Sequence, residues 1–170
     1  MLFNNPIPWV KETNYLGVTL DTRLRYNSHI TKSCKKFKIK LLKLQPILRK
    51  KSKLSLKNKI LIYKSYLQPI LSYACAIWGN TTDQNIKKLQ IHQNRAIRLI
   101  TGAPNFIPRT ILHEETNIEP ITQLIQKLAT TFYATISDHE NPTINSISRS
   151  ITSNGTRKPP TTSQVIQHLF

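Results

Sequence analysis

Between Thr22 and Thr82 the sequence contains no aspartate or glutamate, and in the whole chain 8 acids stand against 25 lysines and arginines. A hydrolase or polymerase centre needs carboxylates close enough to hold metal or move protons. Asp21, Asp83 and Asp138 have no acidic neighbour, and Glu114, Glu115 and Glu119 read as helix-start or surface charges. We therefore assign no catalytic residue. The five histidines show neither i, i+4 pairing nor a cysteine partner, so no metal ligand is assigned and no cofactor is expected in this chain. Four glycines, never clustered, exclude a phosphate-cradling loop. Cys34 and Cys75 lie far apart on the apolar sides of predicted helices, which suits buried free thiols in a reducing compartment better than a disulfide. No apolar run reaches the ~20 residues of a membrane span. Met1 leads into Leu-Phe-Asn-Asn-Pro without a signal-peptide pattern. The expected location is intracellular, in nucleus and/or cytoplasm, with no membrane partner.

What is present is positive charge, and it is poorly mixed. The formal net charge is +17, and fifteen of the 25 cations fall in the acid-free window. Solubility alone is served by interspersed signs, so the pattern points to a polyanion, first of all a nucleic-acid phosphate backbone and second an anionic membrane surface. The residues expected to meet it are Lys32, Lys35, Lys36, Lys40, Lys43, Arg49, Lys50, Lys51, Lys53 and Lys57. Cations without a base-reading motif imply backbone contact. Tyr26, Tyr63, Tyr66, Tyr73 and Trp78 have rings able to stack on bases, but rings at helical spacing are more often core.

The periodicities predict a mainly α fold: an N-terminal β-hairpin, a basic bundle of three to four helices, and a disordered C-terminal tail. The hairpin region is 1–27, with Leu2 to Val10 as one strand, a polar turn at Lys11 to Asn14, and Tyr15 to Leu20 as the other. Gly17 marks a bulge or a close approach to the backbone. The bundle occupies 28–104. Its first helix, His29 to Leu48, carries the stripe Ile30, Cys34, Phe37, Leu41, Leu44, Leu48. Its second, from a Ser55 cap to a left-handed Gly79, carries Leu56, Ile60, Tyr63, Leu67, Ile70, Ala74 and Ile77 and bends at Pro69. Its third, capped at Thr82-Asp83 and closed by Gly102 and Pro104, turns Ile86, Leu89, Gln93, Ile97 and Ile100 inward. Region 105–137 holds a short helix from Arg109 to Glu115 and a nearly uncharged one from Ile121 to Ile136. Region 138–170, rich in Ser, Thr, Asn and Pro, reads as mostly disordered, with a marginal turn at Val165 to Phe170.

Four segments in register carry a family resemblance: Tyr15-Leu-Gly-Val-Thr-Leu-Asp21; Arg25-Tyr-Asn-Ser-His-Ile30; Tyr63-Lys-Ser-Tyr-Leu-Gln-Pro-Ile-Leu-Ser-Tyr73 with Ile77-Trp-Gly79; and Gln90-Ile-His-Gln-Asn-Arg-Ala-Ile-Arg-Leu-Ile-Thr-Gly-Ala-Pro104. From about Leu2 to Glu119 the chain resembles the reverse transcriptase of non-LTR retrotransposons, jockey type. The resemblance implies that the hairpin is primer-grip-like, with Leu16 and Gly17 near the primer strand, and that the basic helices form the thumb and the segment beyond it. The partners it implies are an RNA or RNA–DNA template–primer duplex and the missing palm and fingers of the parent polymerase. That parent adds deoxynucleotides to a primer end on an RNA template with two Mg²⁺ ions. Its catalytic aspartates lie upstream of the hairpin, so this chain is expected to be inactive alone, as a truncated copy or partial gene model. The other readings are a stand-alone basic nucleic-acid-binding module and a helical protein-interaction module.

Overall fold

The computed structural model describes residues 9–137 and 139–144. Residues 2–8 of the expected strand Leu2 to Val10, most of the expected disordered tail and the turn at Val165 to Phe170 lie outside the described residues, and Trp9 and Val10 are not in a strand.

Strands β1 (Glu12–Tyr15) and β2 (Val18–Asp21) pair antiparallel, Tyr15 opposite Val18, around the two-residue turn Leu16-Gly17. The hairpin is present, but its turn is not at Lys11 to Asn14 as expected. Leu16 has φ 46° and Gly17 φ 81°, and two positive φ values at the tip give the turn hand that matches strand twist. Glycine supplies the second at no steric cost, while Leu16 holds a conformation that non-glycine residues seldom adopt. β2 buries Val18 and Thr19, whereas β1 is exposed throughout.

After the hairpin, Asp21 organises the turn into the first helix. Its carboxylate accepts backbone N–H bonds from Arg23 (3.0 Å), Arg25 (3.1 Å) and Tyr26 (2.7 Å). Burial opposes ionisation there, but these donors and the Arg25 charge outweigh it and hold the carboxyl below its ordinary value. Helix α1 (Asn27–Leu48) then runs 22 residues without stopping at Pro46. Of the expected stripe, Ile30, Cys34, Phe37, Leu41 and Leu48 are buried and Leu44 is half-buried.

The second bundle segment differs most from expectation. Ser55 caps α2 (Leu56–Ile62) by accepting from the Asn58 N–H, as the sequence predicts. The chain then passes into a π turn (Tyr63–Leu67), where the Gln68 N–H bonds the Tyr63 carbonyl five residues back. α3 (Gln68–Ser72) follows, with Pro69 in its first turn. A π turn widens the helix, and placed just ahead of Pro69 it accommodates a ring that would clash in a continuous α-helix. The wide turn also shifts the register. Tyr63 and Leu67 are buried as expected, but beyond them Leu71, Cys75 and Trp78 take the places of the expected Ile70, Ala74 and Ile77, each one position later, while Leu56 is exposed and Ile60 half-buried. The helix does not bend and continue to Gly79. It ends at Ser72, Ala74 turns left-handed (φ 54°), and α4 (Cys75–Trp78) starts anew. Gly79 has φ −62°, so the expected left-handed cap is absent.

Helices α5 (Asp83–Thr101), α6 (Arg109–Thr116) and α7 (Ile121–Ser137) complete the fold. Thr82 occupies the cap position of α5, but its side chain makes no capping bond. Gly102 closes α5 in the left-handed region as expected (φ 67°), its N–H bonding the Arg98 carbonyl at 2.8 Å. α1 and α5 pack together, α5 carries α6 and α7, and one apolar cluster runs from Val18 through Phe37, Leu67, Trp78 and Ile97 to Ile125. Both cysteines are free and buried, and burial pushes the Cys34 thiol up to about 11. No helix among the described residues is long and apolar enough to cross a membrane.

Candidate nucleic-acid interface

Helical geometry places Lys32, Lys36, Lys40 and Lys43 on one side of α1, because steps of three and four return to the same face. From Lys32 to Lys43 the helix rises by ~16 Å at 1.5 Å per residue. This row borders the hairpin and the π turn. Lys32 Nζ donates to Thr19 Oγ1 at 3.1 Å, and Lys40 Nζ stands 5.7 Å from the centre of the Tyr66 ring. Lys32 and Lys36 also line an open cleft of about 350 Å³ whose other walls include Asn14, Gly17, Ile70 and Tyr73.

The hairpin tip is pinned at this cleft. The Tyr73 hydroxyl donates to the Leu16 carbonyl at 2.9 Å, and a Cβ on Gly17 would lie 3.3 Å from the Tyr73 ring. Gly17 therefore serves both as turn residue and as the point of close approach. Behind the tip, the Thr19 N–H donates to Nδ1 of His29 at 3.3 Å. That bond needs an unprotonated Nδ1. Burial first, and the Lys32 charge second, lower the pKa of His29 and keep the ring neutral. Tyr73 itself is held from the other side, where Trp78 Nε1 donates to its carbonyl at 2.6 Å.

Similarity to known proteins covers most of the chain. It is 37% identical over 145 residues, 85% of its length, to the probable RNA-directed DNA polymerase of transposon X-element of Drosophila melanogaster. It is 30% identical over 127 residues to the RNA-directed DNA polymerase of mobile element jockey of the same species, and 31% identical over 130 residues to that of Drosophila funebris. The chain belongs to the jockey-like family of non-LTR transposon reverse transcriptases. The matched stretches are 75% and 76% of this chain for the two jockey enzymes, and the chain spans 14% to 16% of the three relatives' own length. It is thus the counterpart of one segment of a reverse transcriptase. No family model and no solved structure matches it significantly.

Within this reverse-transcriptase segment the ten candidate cations fall into three groups. Lys32, Lys36, Lys40 and Lys43 form the row that begins beside the hairpin turn Leu16-Gly17. Lys35 precedes by one turn Lys38, whose charge, with that of Arg95 on α5, adds to burial in lowering the pKa of His92. It therefore lies toward α5, on the other flank. Arg49, Lys50, Lys51 and Lys53 occupy the α1–α2 connection, with Lys57 in the first turn of α2 beyond. The Lys50 side chain packs where a Cβ on Gly102 would stand. Among the described residues one ion pair forms, between Lys127 and Glu119. None of the ten cations is therefore neutralised within the described fold.

Lys59 belongs to the acid-free window but not to the surface. It is 4% exposed and its ammonium donates to the Arg49 carbonyl at 2.9 Å, satisfying a backbone group at the end of α1. Of the five ring residues, Tyr26, Tyr63 and Trp78 are core, while Tyr66 and Tyr73 are 45% and 55% exposed. Their spacing of seven, offset from the buried stripe, is the sequence signal that separates them. No three His, Cys, Asp or Glu side chains gather among the described residues, so these residues do not fit the Mg²⁺ pair of a polymerase.

Proposed function

We propose that this segment is the primer-grip hairpin and thumb of a jockey-like reverse transcriptase, holding an RNA or RNA–DNA template–primer through its phosphates. The observation that carries the reading is the unpaired row Lys32, Lys36, Lys40 and Lys43 beside the turn Leu16-Gly17. An acid-free line of ammonium groups attracts a polyanion without selecting sequence, which suits an enzyme that must copy any template. Chemistry belongs to the palm, supplied with the fingers by the rest of the parent enzyme, whose carboxylates hold Mg²⁺. This segment binds and orients, and transfers no nucleotide by itself.

The test is binding of the full chain to an RNA–DNA hybrid, followed by fluorescence anisotropy across a salt series. The expected result is a linear fall of log affinity with log salt, at about 0.9 per phosphate contacted. Salt-independent or undetectable binding overturns the reading. Extension of a primed RNA template by the purified chain, with contaminating polymerase excluded, overturns its non-catalytic part.

A further inference from the structure

We infer that the cleft between α1 and the π turn–α3 segment is a track for an unpaired nucleic-acid strand, with bases stacked on Tyr66 and Tyr73 and phosphates on Lys32, Lys36 and Lys40. The inference rests on the nucleic-acid reading above and goes beyond it by naming a single strand as the ligand of this cleft.

The two walls of the cleft differ in chemistry. On α1, the three lysines recur every four residues, so their ammonium groups climb in steps of ~6 Å. Facing them are two exposed rings. Tyr66 lies under Lys40, and Tyr73 shares the cavity lining with Lys32 and Lys36. With Lys32, Lys36 and Tyr73 lining the cleft and the Lys40–Tyr66 pair farther along α1, the cationic and aromatic groups match a strand whose phosphates run along one edge and whose bases project from the other. A base paired in a duplex keeps its faces stacked on its neighbours, so only an unpaired base has a face free for a tyrosine.

Both rings are exposed in a protein that buries Tyr26, Tyr63 and Trp78. Tyr66 lies off the buried stripe Tyr63, Leu67 and Leu71, and Tyr73 stands at the break that follows Ser72. Tyr73 is also fixed in place, its hydroxyl on the Leu16 carbonyl and its carbonyl under the Trp78 indole. A stacking platform held from two sides loses little freedom when a base settles on it. The Lys40 contact with Tyr66, at 5.7 Å, is near the outer limit of a cation–π interaction, so the ammonium is readily exchanged onto a phosphate.

The experiment compares a single-stranded oligonucleotide with an abasic strand of equal length, which keeps the phosphates and lacks the bases, on the full chain. The normal strand is expected to bind at least tenfold more tightly, since stacking contributes that much per base. A double Y66A/Y73A variant is expected to bind both strands equally, with an unchanged salt slope, and Y66F/Y73F to keep the preference. Equal affinity of the unmodified chain for the two strands overturns the inference, and so does a preference that survives Y66A/Y73A. Salt-dependent binding of an RNA–DNA hybrid with no preference for bases over the abasic strand refutes the track alone. Absence of binding to every polyanion refutes the broader reading with it.

Discussion

The α1 side and the α5–α6–α7 side of this molecule treat polar groups in opposite ways. On the outer side of α1 the lysines are of one sign, exposed or half-exposed at Lys40, and without an acidic partner within the described fold. Between α5, α6 and α7 amide side chains and one imidazole are buried or half-buried and bonded to one another. Gln93, fully buried, accepts from the Ile121 N–H at 2.8 Å and donates to the Glu119 carbonyl at 2.9 Å. Gln90 Oε1 accepts from the same N–H at 2.9 Å, and its amide nitrogen donates to Gln93 and Asn94 at 2.8 Å each. His113 joins the group, with Nδ1 2.7 Å from the Ile118 carbonyl and Nε2 3.0 Å from Asn94 Oδ1. The amide network fixes how α7 enters the bundle, whereas the lysine row contributes inside the protein only the Lys32 bond to Thr19 and the Lys40 contact with the Tyr66 ring. Charged side chains with so few partners in the fold are available for work outside it.

The largest effect expected from this contrast is on stability. Replacing Gln93 by leucine leaves the Glu119 carbonyl without its donor and strips Gln90 of a partner, so Q93L loses about 2–3 kcal/mol of unfolding free energy in a urea titration. A fourfold K32Q/K36Q/K40Q/K43Q variant changes stability by under about 0.5 kcal/mol per site, as exposed substitutions do. If the lysine variant unfolds as readily as Q93L, the contrast breaks.

The reverse holds for binding. The fourfold variant lowers the log–log salt slope with an RNA–DNA hybrid by about 3–4, since each lost phosphate contact removes roughly 0.9. Q93L, measured where it is still folded, leaves the slope unchanged. Equal slopes for the lysine variant and the parent chain remove the row from the interface.

A smaller effect sharpens the role of the hairpin anchor. Y73F deletes the hydroxyl that bonds the Leu16 carbonyl and keeps the ring, for an expected loss of about 1 kcal/mol, with increased amide exchange at the hairpin tip. Unchanged exchange at residues 15 to 18 contradicts that anchoring.

The smallest effect is pH-dependent and belongs to the cationic side. His29 and His92 both have pKa values lowered from 6.5 in the fold, by burial first and then by neighbouring lysine and arginine charges. Below pH 6.5 the unfolded chain therefore binds more protons than the folded one, and stability falls as pH drops through that window until the folded rings also protonate. H29Q/H92Q flattens this part of the profile in urea titrations between pH 7.5 and 5. An unchanged slope in that variant assigns the effect elsewhere.

Much of this architecture could be read along the chain. The stripe of α1, the Ser55 cap, the Gly102 terminus and the inner face of α5 follow from spacing, because a helix repeats every 3.6 residues whatever surrounds it. The acid-free window, and with it the candidate row, was equally visible. The hairpin turn was not, because Leu16-Gly17 has a turn-forming glycine only at its second position, and the Tyr73 hydroxyl from 57 residues away holds the tip. Nor was the break at Tyr73 and Ala74, where a left-handed alanine is kept in place by the Trp78 indole on the Tyr73 carbonyl.

Composition and period thus determined by themselves that this is a basic, mainly helical segment with its charge on one helix and an apolar seam along each partner, since both properties are local sums over residues. The tertiary structure alone decided which lysines stand beside the hairpin, that Trp78 and not Ile77 enters the core, and that Lys59 serves the fold instead of the surface. Those outcomes depend on one extra residue in the π turn and on contacts between positions tens of residues apart. No local pattern encodes either, because the free energy that selects them comes from partners brought together only when the chain has folded.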